Sequence, residues 1–143
     1  MHDFVDGLWI PEGPGKWSRP LSFNVGQGSW VELMRLLPGV SLPLHRHLGP
    51  VHAFNLRGER LLSDGRHIRT HDYVFEPEGN VDWWGVVGEQ ELIVLVTVGG
   101  AVEYLDEQGE VSLRITAEDR YRDYVAYCHE QGVEPTLLAR SLF

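Results

Sequence analysis

One cysteine, few basic residues and no long apolar run set the first limits on this chain. Cys128 alone cannot form an intramolecular disulfide or supply a multi-cysteine zinc module, so a reducing cytoplasm is the expected compartment. Lys and Arg number 12 against 21 Asp and Glu, a formal net charge of -9 with no local basic stripe to offset it. Such a chain repels phosphate backbones and anionic headgroups, so neither nucleic acid nor a membrane surface is an expected partner. The longest purely apolar run, residues 92–96, suits a buried strand and falls far below the roughly 20 residues of a membrane span. The start of the sequence carries acids where a secretory leader carries bases, and no apolar stretch follows, which predicts that the protein is not exported. At 143 residues the expectation is a single domain.

What is present is punctuation. Fourteen of the sixteen glycines and seven of the eight prolines break the first hundred residues into short pieces rich in Val, Leu, Phe, Tyr and Trp, a pattern of many short strands. The strand-like segments are 29–37, 40–47, 51–57, 59–62, 66–69, 73–76, 83–87 and 91–98, with Ser63, Asp64 and Gly65 reading as a hairpin turn. Short strands with no helices between them predict an all-β antiparallel sandwich or barrel. The period changes near the C-terminus. Thr116 to Asp119 has the form of a capped helix start, and Tyr121, Tyr124, Val125 and Cys128 recur at helical spacing up to Gly132, a suitable C′ residue. The expected organisation is an N-terminal arm over residues 1–20, a β-domain over 21–113 and a helix over 116–131.

Three of seven histidines fall within eight residues. His45 and His47, one residue apart, present both imidazoles on the same face of a strand and can grip one ion together, while Arg46 points away. His52 follows on the next strand, sharing its face with Phe54 and Leu56. Imidazole pairs on a rigid strand suit iron, zinc, copper or nickel, and need one or two further ligands to close a site. On an exposed strand the same pair is merely solvated.

The stretch 39–58, with Gly39, His45, His47, His52 and Gly58 at its marked positions, resembles the first motif of the cupin superfamily. Pro77, Gly79 and Asp82 resemble the second motif, a P-x-G followed by a ligand. Residues 9–11, 14–21, 45–52, 73–77 and 101–109 are similar to the group of cupins that includes 2,4'-dihydroxyacetophenone dioxygenase and the acetylacetone-cleaving enzymes, a likeness spanning roughly residues 8–132. The resemblance implies a single jelly-roll barrel, the double-stranded β-helix of the cupins, with one C-terminal α-helix. It implies Fe(II) held by three histidines and O2-dependent cleavage of a carbon–carbon bond beside a carbonyl. Homodimers formed through the outer sheet are expected on the same ground.

Two ligands carry over directly, onto His45 and His47. Where the family has its third histidine this chain has Asp82, followed by Trp83 and Trp84; where the first motif carries glutamate it has His52, or Val51 if aligned by Gly58; and near a family glycine it has His71. Asp82 either completes a two-imidazole, one-carboxylate site, the ligand set of many non-haem Fe(II) oxygenases, or satisfies turn amides while the site has lost its metal. His52 is a candidate fourth ligand, an orienting donor, or an acid/base group. The implied ion is divalent, Fe(II) first, with Zn, Mn or Ni as alternatives. Glu76 is a candidate to orient a ligand or take a substrate proton, with a plain surface carboxylate as the other reading. Phe54 and Trp84 are the candidate pocket aromatics for a small ketone or dicarbonyl substrate. The rival functions are a cyclase or isomerase acting on an enolisable ketone without O2, and a non-catalytic module that senses a ligand or metal.

Overall fold

The computed structural model describes residues 7–140. Twelve strands make two six-stranded antiparallel sheets. The first runs in the order β1 (Ile10–Gly13), β2 (Lys16–Asn24), β3 (Ser29–Leu36), β10 (Leu92–Val98), β5 (Val51–Arg57) and β8 (Tyr73–Glu76). The second runs β12 (Val111–Ile115), β11 (Val102–Leu105), β4 (Ser41–His47), β9 (Val81–Val87), β6 (Glu59–Leu62) and β7 (His67–Ile68). This is the expected jelly roll. Sequence neighbours repeatedly change sheets, so the two inner faces share one core, with Leu36, Val51 and Val94 from the first sheet against Leu42, Leu62 and Trp84 from the second.

Alternation along each strand decides which side chains enter that core. On β9, Asp82, Trp84 and Val86 are buried while Val81 and Trp83 are exposed. The first sheet differs from a half-solvated sheet in that its outer face is also apolar: Leu33 and Ile93 are buried there under Trp9, with Trp17, Leu56 and Leu95 packed around them. That face makes residues 10–20 part of the sheet, where an irregular arm is expected from the Pro and Gly content. β2 tolerates Pro20 because its pairing with β3 shifts register between Pro20 and Ser22.

The helix α1 (Ala117–Glu130) begins at a complete capping box: the Asp119 N–H donates to the Thr116 hydroxyl at 3.1 Å, and the Thr116 N–H donates to the Asp119 carboxylate at 2.9 Å. Arg120, Tyr124 and Cys128, four residues apart, form its buried stripe. Phe23 of β2 takes Tyr121 edge-on at 5.3 Å and Tyr124 at 5.6 Å between ring centroids, which fixes the helix against the sheet. Beyond it the Tyr124 hydroxyl accepts from the backbone N–H groups of Thr136 and Leu137, holding the tail. No helix among the described residues is long and apolar enough to cross a membrane.

Two positions show what the local backbone demands of its residues. Gly58 turns the chain between β5 and β6 at φ +77°, and a Cβ there would lie 2.4 Å from the Glu91 carbonyl oxygen, so only glycine fits. His71 is the one described non-glycine residue in the left-handed region, at φ +72°, near the position where the resemblance leads one to expect glycine. It is held by its N–H, which donates to the Asn55 carbonyl at 2.7 Å, and by its ring, stacked on Phe54.

Candidate functional site

His45 and His47 leave β4 on its inner face and are 1% and 7% exposed. Their rings meet edge to face with centroids 4.9 Å apart. The neighbouring strands place Tyr104 of β11 and Asp82 of β9 directly opposite His45 on its two sides. His45 Nδ1 lies 2.8 Å from the Pro43 carbonyl. A carbonyl only accepts, so this bond sets the proton on Nδ1 and leaves the Nε2 lone pair bare, the form in which histidine binds a metal. Burial lowers the pKa of both imidazoles, that of His47 to about 4 with Arg60 adding to the effect against Asp82, so both are neutral at pH 7.

Glu76, at the end of β8 opposite Val51, is 5% exposed and faces the same space. Asn80 donates to its Oε1 at 3.0 Å, and its Oε2 lies 3.8 Å from His47 Nε2. With His47 neutral this is a polar contact, not an ion pair. Burial raises the Glu76 carboxyl above its ordinary range, with Arg60 pulling the other way.

Asp82 is buried, and its Oδ1 accepts both the backbone N–H of Ser63, at 3.1 Å, and the Ser63 hydroxyl in a short hydrogen bond. It thus holds the turn between β6 and β7. Among the described residues no three His, Cys, Asp or Glu side chains converge closely enough to enclose an ion as they stand.

His52 and Phe54 lie elsewhere, and the expectation that they join the site is corrected. On β5 the inward residues are Val51, Ala53 and Asn55. His52 is exposed on the outer face, where its Nδ1 makes a short hydrogen bond with the Tyr73 hydroxyl and its ring lies 5.1 Å from Phe75. Phe54 shares that outer face. His52 and Phe54 do share a face, but it is the solvent side of a sheet whose outer surface is itself apolar.

The residue that sequence reasoning missed is Arg60. It enters from β6, 2% exposed, with its guanidinium 4.8 Å from the centroid of the Trp84 ring, and its Nε and Nη2 donate to nothing in the structure. Glu76 and Asp82 are the carboxylates that oppose its desolvation. The only sequence signal is its parity: Arg60 and Leu62 share a face, and Leu62 is core. His45, His47, Glu76 and Arg60 close one end of a cavity of about 100 Å³, whose middle is apolar, with Val51, Ala53, Leu42, Val94 and Trp84 on its walls. A neutral imidazole pair, one carboxylate and a guanidinium with two unpartnered donors facing an apolar chamber suit an oxygen-rich small molecule.

The sequence profile of the ChrR cupin-like domain matches residues 1–102. The chain belongs to this family. No protein of curated function matches it in sequence comparison. Among solved structures, this cupin is similar to an RmlC-like cupin from Ralstonia eutropha JMP134, at 20% identity and a TM-score of 0.86, covering 94% of this chain and 89% of that one. It is similar to an acetylacetone dioxygenase from Acinetobacter johnsonii, at 19% identity and a TM-score of 0.77, covering 88% of this chain and 93% of that one. It also resembles the anti-sigma factor ChrR seen in complex with SigE of Rhodobacter sphaeroides, at 18% identity and a TM-score of 0.60, covering 67% of this chain and 51% of that one. At these identities the likenesses establish the cupin fold.

Proposed function

We propose that this cupin is a metal-dependent enzyme that cleaves a carbon–carbon bond of a β-dicarbonyl or hydroxy-ketone with O2, both oxygen atoms entering the two fragments. The observation that carries the reading is the buried, neutral His45–His47 pair at the closed end of an apolar cavity, with the His45 Nε2 lone pair bare. The pair fits a divalent ion, Fe(II) in the first place. Asp82 would be the third ligand through its second oxygen, the Ser63 bonds to Oδ1 acting as the outer support that ligating carboxylates commonly have. When bound, the ion supplies Lewis-acid stabilisation of an enolate and a point of attachment for O2.

The chain's own residues do the rest. Glu76, buried and raised above its ordinary range, is placed to take the proton between the two carbonyls. Arg60 has two free donors for the enolate oxygen that forms. The Val, Leu and Trp walls exclude water from both.

Arg60 also favours a second reading. A permanent cation aimed at the reacting space stabilises an enolate without metal, which supports enolisation or cyclisation with no O2 consumed. Oxygen uptake by iron-loaded protein, measured with acetylacetone and with hydroxyacetophenones, separates the two. Uptake equal to substrate loss supports the dioxygenase. Substrate conversion without uptake supports the second reading, and neither conversion nor binding refutes both.

A further inference from the structure

The cavity has a second polar end that the chemistry above leaves unused. It is built from Glu12 of β1, Lys16 and Ser18 of β2, Glu32 of β3, Tyr104 of β11 and Arg120 of α1. Three of its four carboxylate oxygens are engaged. Glu12 Oε1 takes the Ser18 hydroxyl at 2.6 Å and Arg120 Nη1 at 3.0 Å; Glu32 takes Trp30 Nε1 at 2.6 Å on one oxygen and Arg120 Nη2 at 3.1 Å on the other. Both Nη atoms of Arg120 are directed to these carboxylates and to Ser18.

The donors are not engaged. Among the described residues nothing accepts a hydrogen bond from the Lys16 ammonium or the Tyr104 hydroxyl, although both line the cavity. Burial lowers the pKa of Lys16 against the pull of Glu12 and Glu32, and raises that of Tyr104 to about 12, so Tyr104 remains a donor at neutral pH. Tyr104 also connects the two ends: its ring lies 5.9 Å from that of His45, directly across the strand pair.

Resting on the dicarbonyl reading of the His45–His47 end, we propose that the ligand of this cavity carries a carboxylate remote from its enolisable carbonyls, received by Lys16 and Tyr104. The substrate class is then a β-diketo acid, not a neutral diketone, and Lys16 is the residue that sets this preference. A desolvated ammonium with no hydrogen-bonded partner gains most from an anion, and the apolar waist between the two ends matches a short methylene spacer.

The test is calorimetric binding of succinylacetone, a β-diketone with a terminal carboxylate, and of its methyl ester. Wild-type protein should bind the acid at least about tenfold more tightly than the ester, the size of one charged hydrogen bond. Lys16→Met should bring the ratio to about one, Tyr104→Phe should reduce it, and Lys16→Arg should keep it, which covers the case of a variant that folds poorly. Equal binding of acid and ester by wild type, or a ratio unchanged in Lys16→Met, overturns the carboxylate assignment and leaves the dicarbonyl reading standing. An acid preference that depends on Lys16 but is indifferent to His45→Ala leaves Lys16 in its role and removes the dicarbonyl reading. Failure of both compounds to bind overturns the two together.

Discussion

Replacing Arg120 with methionine removes a buried cation while keeping most of the side chain's bulk. Arg120 is 9% exposed and joins α1 to three strands, through Glu12 of β1, Ser18 of β2 and Glu32 of β3. In the variant Glu32, itself 7% exposed, keeps only its bond from Trp30, so a carboxylate is left buried with half its partners. Breaking a buried pair in this way costs about 3–5 kcal/mol, and the partial exposure of Glu12 puts this case at the lower end, about 3 kcal/mol. For a chain of this length each kcal/mol lowers the melting temperature by about 3–4 °C, so Arg120→Met should melt about 10 °C below wild type by calorimetry. Adding Glu32→Gln to the variant should recover part of the loss, because the uncompensated charge is then gone. A single variant melting within 2–3 °C of wild type, or a double variant lower still, would refute the argument that this network ties the helix to the sheet.

Two further outcomes follow from groups already placed. Burial holds His47 at about 4, against roughly 6.5 in the unfolded chain. As pH falls the unfolded chain therefore takes the proton first, and stability present above pH 6.5 is lost between about 6.5 and 4. A gap of two to three pH units at about 1.4 kcal/mol each gives a loss of about 3 kcal/mol. Unfolding free energies from urea titration of metal-free protein at pH 7 and pH 4 should differ by about 3 kcal/mol less in His47→Gln than in wild type, Glu76 being common to both; equal losses in the two proteins would contradict the assignment. Thr116→Ala removes one half of the capping box and should cost about 1 kcal/mol, read as a lower thermal midpoint in circular dichroism.

Much of the fold is legible in the sequence because Gly, Pro and Asp–Gly turns punctuate strands whose lengths are set by the barrel. The eight segments between residues 29 and 98 correspond to β3 through β10 within a few residues. The edges are less legible. Pro11 and the glycines at 13 and 15 conceal β1 and the start of β2, and β12 has almost no buried residue to mark it as a strand. The site is legible where parity alone decides it, as for His45, His47 and Trp84. It fails at His52 because Phe54 and Leu56, the larger apolar residues of β5, face outward onto a sheet surface packed under Trp9 and Trp17, while the smaller Val51 and Ala53 line the cavity. Arg60 and Lys16 are invisible to motif reading, since a lone basic residue on a strand is ordinarily solvated, and only the closed cavity gives their charges a meaning.

The central claim is that His45 and His47 hold a divalent ion inside this barrel. Metal analysis of freshly purified protein, before and after anaerobic loading with iron, should find about one equivalent in wild type and nearly none in the His45→Ala, His47→Ala double variant. Equal metal in the two proteins, or a folded wild type that takes up none, would contradict the account.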